Sequence, residues 1–213
     1  PASYYHTINC RPAEISDFVL KAEDPDAKWA EVNVMKIGTF GTATTPVKRR
    51  VEVKDGVLDW KSAGLSLAVV FERYGKNGNV GYGLVEGALT KPGAVATTWS
   101  HDSLGTDEND MKLAQRRVLE LQGAYVVFAG GKFLAEARLT IGGIVSDQPI
   151  EVLGQELKEV RAAMEGLGYV NNNVIMSMST LCLPVSPKLK LTDHGLLTVP
   201  GQEHVPLVEK YGK

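Results

Sequence analysis

The stretch Ala124-Tyr125-Val126-Val127-Phe128-Ala129-Gly130-Gly131-Lys132-Phe133-Leu134-Ala135-Glu136-Ala137-Arg138-Leu139 holds two β-prone runs separated by a glycine pair. Two glycines can both adopt positive φ, which the tight turns that match strand twist require. The stretch is the clearest hairpin signal in the chain. Helical patterns flank it on both sides. Upstream, Thr106 stands as a cap before a first turn carrying Asp107, Glu108 and Asp110, acidic groups that suit the positive end of a helix dipole. Met111, Ala114, Val118 and Leu121 then fall on one face, and Gly123 ends the pattern. Downstream, a second helix starts around Asp147 to Pro149. It carries Leu153, Leu157, Val160, Met164 and Leu167 on one stripe, with Gly168 just past its end.

The remaining elements are read as strands. Leu65 to Phe71 is a short apolar run between Gly64 and Gly75, and Val80, Tyr82 and Leu84 alternate with glycines. Val174 to Pro184 is a further strand candidate. Upstream, Val32, Val34 and Ile37, then Lys48 to Val53 and the turn Lys54-Asp55-Gly56-Val57, supply strands of a small β-domain. Residues 1 to 30, with Pro12, Pro25 and three aspartates among few periodic apolar positions, read as an irregular connecting arm. The expected class is α+β: a mixed or antiparallel sheet with two main helices packed on it, preceded by the strands of a small β-domain. The division falls into residues 1–62, arm and β-domain strands, and residues 63–213, an α+β domain.

Composition limits the partners. A chain of 213 residues with 44% hydrophobic content can bury a full core. With 23 basic against 25 acidic residues, nothing points to nucleic acid or a membrane surface, and Lys48-Arg49-Arg50 and Arg116-Arg117 read as solvated faces. No stretch has the length of a membrane span, and Pro1-Ala2-Ser3-Tyr4-Tyr5 lacks the regions of a signal peptide. Two cysteines far apart, Cys10 and Cys182, suit a reducing compartment, and Cys182 among Leu181, Leu183 and Val185 reads as a buried hydrophobe. The expected location is the cytoplasm.

The residues that carry chemistry cluster at His101-Asp102-Ser103, after the apolar run Gly93 to Ser100. An imidazole, a carboxylate and a hydroxyl side by side are costly to bury unpaired and useful facing a substrate. The structural alternative is a strand end whose polar groups cap local backbone. Gly81, Gly83 and Gly87 overlap a strand-like alternation with no helix after them, so they suit close packing or a bulge and not a phosphate cradle. The His-x-Glu and Pro-Cys-x-x-Cys elements of cytidine-type zinc deaminases do not occur. The four histidines, His6, His101, His194 and His204, have no ligand-pair spacing, so this chain alone assembles no metal centre.

From Leu65 onward the chain resembles the C-terminal domain of bacterial adenine deaminases, metal-dependent enzymes of the amidohydrolase superfamily. The matches run in order: Glu72-Arg73, Gly81-Tyr82-Gly83-Leu84-Val85-Glu86-Gly87, Lys91-Pro92-Gly93-Ala94-Val95-Ala96, His101-Asp102-Ser103, Gly105-Thr106 and Asp110-Met111. Leu139 to Asp147, Leu183-Pro184-Val185 and Leu189 to Leu196 complete them. Two positions depart from the family pattern: Tyr74 stands where the family has histidine, and about five residues, including a second histidine, are absent between Ser103 and Gly105-Thr106. The resemblance implies hydrolysis of adenine to hypoxanthine and ammonia, with hydroxide formed at a divalent metal, manganese or iron or zinc, in an N-terminal barrel attacking C6. It implies that the strands of residues 1–62 belong to a small β-domain shared with the N-terminal part, and a homo-oligomer in which this domain closes over the purine. His101 and Asp102 are the catalytic candidates, and Glu72, Arg73, Ser103, Ser146 and Asp147 the substrate-binding or lid candidates. For Glu72-Arg73 the structural alternative is an ion pair, for Asp147 a helix cap; His194 is taken as a turn residue. A non-catalytic oligomerisation or interaction module, or a deaminase of another aminopurine such as an N6-substituted adenine, remains the alternative.

Overall fold

A computed structural model of the chain describes residues 1–100 and 102–213. The predicted hairpin is present as β8 (Ala124–Ala129) and β9 (Lys132–Arg138), with Gly130 and Gly131 at φ of 58° and 74° in the turn between them. The helix before it, α1 (Glu108–Leu121), buries Met111, Ala114 and Val118. Its cap is Asp107 and not Thr106: the Asp107 carboxylate accepts from the Asp110 amide at 2.9 Å, while the Thr106 hydroxyl donates to the Lys91 carbonyl. The helix after the hairpin, α2 (Ile150–Gly166), buries Val160 and Met164 of the expected stripe.

The hairpin belongs to a larger sheet. The other strands are β1 (Trp29–Ile37), β2 (Thr44–Lys54), β3 (Val57–Asp59), β4 (Ser66–Phe71), β5 (Val80–Glu86), β6 (Ala94–Thr97), β7 (Asp102–Gly105) and β13 (Val208–Gly212). Among the described residues, ten strands form one sheet in the order β3-β2-β1-β5-β4-β7-β6-β8-β9, with β13 also paired to β1. All ladders are antiparallel except β1–β5, where Val34, Met35 and Lys36 face Leu84, Val85 and Glu86 in parallel. The sheet is therefore mixed, and the class α+β.

Apolar side chains alternate along each central strand and feed two cores. Leu67, Val69, Ala94 and Ala96 pack with Met111, Ala114 and Val118 of α1 and with Phe18 of the N-terminal arm. Ala68, Val70, Val95 and Leu104 pack on the opposite face with Val160 and Met164 of α2 and with Val174, Met178 and Leu181. A three-stranded sheet, β10 (Lys188–Thr192), β11 (Gly195–Val199) and β12 (His204–Val205), covers the second face with Leu189, Leu191 and Leu196. The small sheet comes so close to β5 that a Cβ at Gly81 would stand 1.8 Å from the Thr192 carbonyl oxygen. The glycine alternation in β5 is thus a packing device, and His194 lies in the β10–β11 turn.

One element differs in kind from its prediction. Val174 to Pro184 holds a helix, α3 (Val174–Ser179), followed by a 3-10 turn over Thr180–Cys182. Its apolar content suits a strand, but Val174, Ser177, Met178 and Leu181 are the buried set, at a helical spacing. The hydroxyls make this burial possible by bonding back along the helix, Ser179 to the Ile175 carbonyl at 2.8 Å and Thr180 to the Met176 carbonyl at 2.7 Å. They also receive the buried phenols Tyr125, on Ser179 at 2.5 Å, and Tyr169, on Ser177 at 2.9 Å.

The arm before β1 holds only 3-10 turns, at Ala2–Tyr5 and Ile15–Phe18, and an isolated bridge from Lys21 to Val57. Polar side chains of α1 bind its backbone in place of a sheet: Gln115 accepts from the Ala13 amide at 2.8 Å and donates to the Arg11 carbonyl at 2.9 Å, and Gln122 brackets Ile8.

Asp110, fully buried on α1, accepts from the Gly130 and Gly131 amides at 2.9 and 2.7 Å and so fastens the hairpin turn to the helix. Asp110→Ala strands both donors, and the expected loss is about 2–4 kcal/mol, for two bonds to a charged acceptor. Urea unfolding of the variant against the parent checks this, and a midpoint that does not move would contradict it.

Candidate functional site

The polar residues singled out in the sequence gather at one end of the sheet, where β4 ends, β7 begins and the chain turns from β6. Thr97 of β6 pairs with Asp102 of β7, so residues 98–101 form the connection; His101 lies outside the described residues. Asp102 and Ser103 are both buried, at 2% and 1% exposure, and as successive strand residues their side chains point to opposite faces.

The Asp102 carboxylate accepts from the Ser100 hydroxyl at 2.5 Å through Oδ1, while Oδ2 has no hydrogen-bond partner among the described residues. The Cys182 thiol lies beside the carboxyl and interacts with it. Burial raises the Asp102 pKa to about 7, against the lowering effect of the Ser100 bond. The same burial pushes the Cys182 thiol well above its ordinary value. A carboxyl near neutrality at a strand end can donate or accept a proton at working pH.

Glu72 and Arg73, the next pair, do not form an ion pair with each other. Glu72 turns back on its own loop and accepts from the amides of Tyr74 at 2.6 Å, Lys76 at 2.8 Å and Asn77 at 3.3 Å. Desolvation works against its charged form, yet the backbone donors prevail and hold its pKa below the usual carboxylate range. Arg73 points away, donating to the Gly142 carbonyl at 2.6 Å and to the Thr7 hydroxyl at 3.2 Å, with Nε unpartnered among the described residues. Burial pulls its pKa down.

Through Gly142, Arg73 joins the turn that carries Ser146 and Asp147 to the same end of the sheet. Asp147 does not cap α2, whose N-cap is Pro149; its carboxylate accepts from Thr140 at 2.9 Å and from Tyr5 at 3.1 Å, joining the arm to this turn. Ser146 accepts from the Gln148 amide at 3.3 Å. Glu72 and Asp147 are thus spent on local architecture, while Asp102, Ser103 and Arg73 retain unused polar atoms.

Several spaces adjoin these residues. A surface cleft of about 240 Å³ is lined by Glu72, Arg73, Tyr74, Ser100, Cys182 and Asp193. An inner cavity of about 20 Å³ touches Ile8, Cys10, Arg73, Asp102, Ser103 and Gln115. Ser100, Cys182, Cys10 and Gln115 were not picked out as site residues in the sequence. Only Ser100, two positions before Asp102, carried a local signal; the others arrive from distant segments. Tyr4, Tyr5, Tyr74, Ile144 and Val145 stand exposed around this end. No group of three or more His, Cys, Asp or Glu side chains among the described residues is placed to hold a metal ion.

Residues 41–203 match the profile of the adenine deaminase C-terminal domain. An adenine deaminase 2 of Oenococcus oeni is 44% identical over 209 residues, covering 96% of this chain and 37% of the relative. Adenine deaminases of Clostridium perfringens and Lactobacillus delbrueckii subsp. bulgaricus are 41% and 40% identical, over 92% and 98% of this chain and 35% and 38% of their own length. The chain spans little more than a third of the curated relatives it matches. By these matches it belongs to the adenine deaminase family, as the C-terminal domain of that family's enzymes.

Proposed function

We propose that this chain is the C-terminal domain of an enzyme that hydrolyses adenine to hypoxanthine and ammonia, and that it closes the purine site of a metal-bearing amidohydrolase barrel. The observation that carries the reading is the 44% identity to an adenine deaminase across 96% of the chain. The described residues offer no set that fits a metal ion. In this reading the divalent metal, manganese or iron or zinc, is bound by the N-terminal part of the same enzyme and supplies the activated water.

The task left to this chain is to exclude water and to place hydrogen-bonding groups against the purine edge. His101 and Asp102, the latter the first residue of β7, are the proposed catalytic contacts. Asp102 suits the role because one carboxylate oxygen is held by Ser100, which lines the cleft, and the other is unpartnered among the described residues. Arg73, bonded to Gly142, and Ser103, next to Asp102 on β7, are the proposed supporting contacts, and Ser146 and Asp147 hold the 140–147 turn. The exposed ring of Tyr4, Tyr5, Tyr74, Ile144 and Val145 supplies apolar surface for closure onto the barrel. Residues 1–62 then form the arm and strands next to the catalytic part and residues 63–213 the closing domain, in a cytoplasmic homo-oligomer. No helix is long and apolar enough to cross a membrane among the described residues.

The purified chain, incubated with adenine and manganese or ferrous iron, is expected to release no ammonia above a metal-only blank, whereas the chain joined to its amidohydrolase part releases it. Turnover by the chain alone, or none by the joined protein, would overturn the proposal. In the joined enzyme, Asp102→Ala should lower kcat by a factor on the order of 100 with metal content unchanged. Steady-state kinetics identical to the parent would remove Asp102 from the site.

Asp102 also sets a pH dependence. Its pKa rises from an ordinary 3.8 to about 7 on folding, so the folded state binds the extra proton between those values. Stability from this group is complete below about pH 4 and is lost as pH rises toward 7, at a slope of up to about 1.4 kcal/mol per pH unit. Asp102→Asn should flatten that slope and be the more stable protein at pH 8. Chemical denaturation of both proteins from pH 4.5 to 8 measures the difference, and parallel curves would refute the assignment.

A further inference from the structure

The inner cavity lies between the N-terminal arm, α1 and the ends of β4 and β7, and its walls include an unusual pair of groups. Arg73 is only 8% exposed, yet no carboxylate lies within ion-pairing distance of its guanidinium among the described residues. Its two partners, the Gly142 carbonyl and the Thr7 hydroxyl, are neutral. The nearest acid in sequence, Glu72, is committed to the amides of its own loop. A buried cation without a counter-charge is costly. Ser103 lines the same cavity, and its Oγ, like Arg73 Nε, is buried without a hydrogen-bond partner among the described residues.

We propose that this cavity is a halide site in which a chloride ion accepts from Arg73 Nε–H and Ser103 Oγ–H. About 20 Å³ is room for a water-sized or monatomic particle, which suits a halide better than a polyatomic anion. A water molecule would satisfy both donors but leave the guanidinium charge unbalanced; a chloride does both. The remaining walls, Ile8, Phe71, Ala96 and Val118, are apolar and suit a large, weakly hydrated ion. Asp102 also borders the cavity, but burial drives it toward its neutral acid form, so the ion does not face a full negative charge. The bound ion ties Ile8 and Cys10 of the arm to the strand ends that carry Asp102. The proposal is independent of the adenine deaminase reading, since it invokes neither purine nor metal.

Thermal unfolding of the purified chain in sodium chloride and in sodium gluconate at matched ionic strength tests it. Chloride is expected to raise Tm saturably, by roughly 5 °C at high concentration. Ser103→Ala should keep its circular dichroism spectrum and lose most of that rise. Crystals grown in bromide should show an anomalous peak in the cavity within hydrogen-bonding reach of Arg73 Nε. Equal Tm in the two salts, an undiminished chloride effect in Ser103→Ala, or an ordered water in the cavity of the bromide crystals would each overturn the site.

Discussion

A carboxylate and a hydroxyl stand in the centre of a sheet that is covered by apolar side chains on both faces. β7 lies between β4 and β6, and its first two residues are Asp102 and Ser103. Because strand side chains alternate, this dipeptide serves two compartments at once. Asp102 turns toward the side of Cys182 and α3, where Ser100 answers one oxygen. Ser103 turns toward α1 and the arm, where Arg73 borders the same cavity. Neither could be tolerated mid-strand, with nothing but Val, Leu and Ala around it. Their place at the strand end explains why the unused polar atoms of the molecule collect there.

That end is assembled from segments far apart in the chain. Arg73 reaches Gly142, Tyr5 reaches Asp147, and Gln115 reaches Arg11. Glu72 contributes by stiffening the loop from Tyr74 to Asn77, which leaves Arg73 free to turn the other way. The adjacent residues thus divide the work between a loop clamp and a bridge to the 140–147 turn. An ion pair between them would have performed neither.

Local signals in the sequence were sufficient wherever a single segment determined its own structure. The Gly130-Gly131 turn, the apolar face of α1 and the stripe of α2 needed no distant partner to be read. Where tertiary contacts decide, the sequence alone was silent or misleading. α3 looks like a strand because its hydroxyls find their acceptors within the helix and on Tyr125 and Tyr169, which no local pattern announces. Lys190, in an alternating Lys-Leu-Lys-Leu stretch, suggests a solvated position, yet it is fully buried, donates to the Thr42 carbonyl at 3.1 Å, and is lowered by burial to about 8. The candidate site shows the same division. The cluster at Asp102 was legible as an expensive run of polar residues, while the partners that give it meaning, Ser100, Cys182 and Arg73, are fixed by the order of strands in the sheet.

β1 receives β13 along its first half, Trp29 opposite Gly212 and Ala30 opposite Tyr211, on the same edge that meets β5 along its second half. A Cβ at Gly212 would stand 2.1 Å from the Trp29 ring, so the two segments are fitted to one another closely. A chain emerging from the ribosome therefore makes β1 and its hairpin partner β2 early, yet holds open backbone groups on Trp29 to Val32 until residues 208–212 have been synthesised. For that interval the nascent chain presents an unpaired strand edge, and such an edge is the surface on which two growing chains pair by mistake.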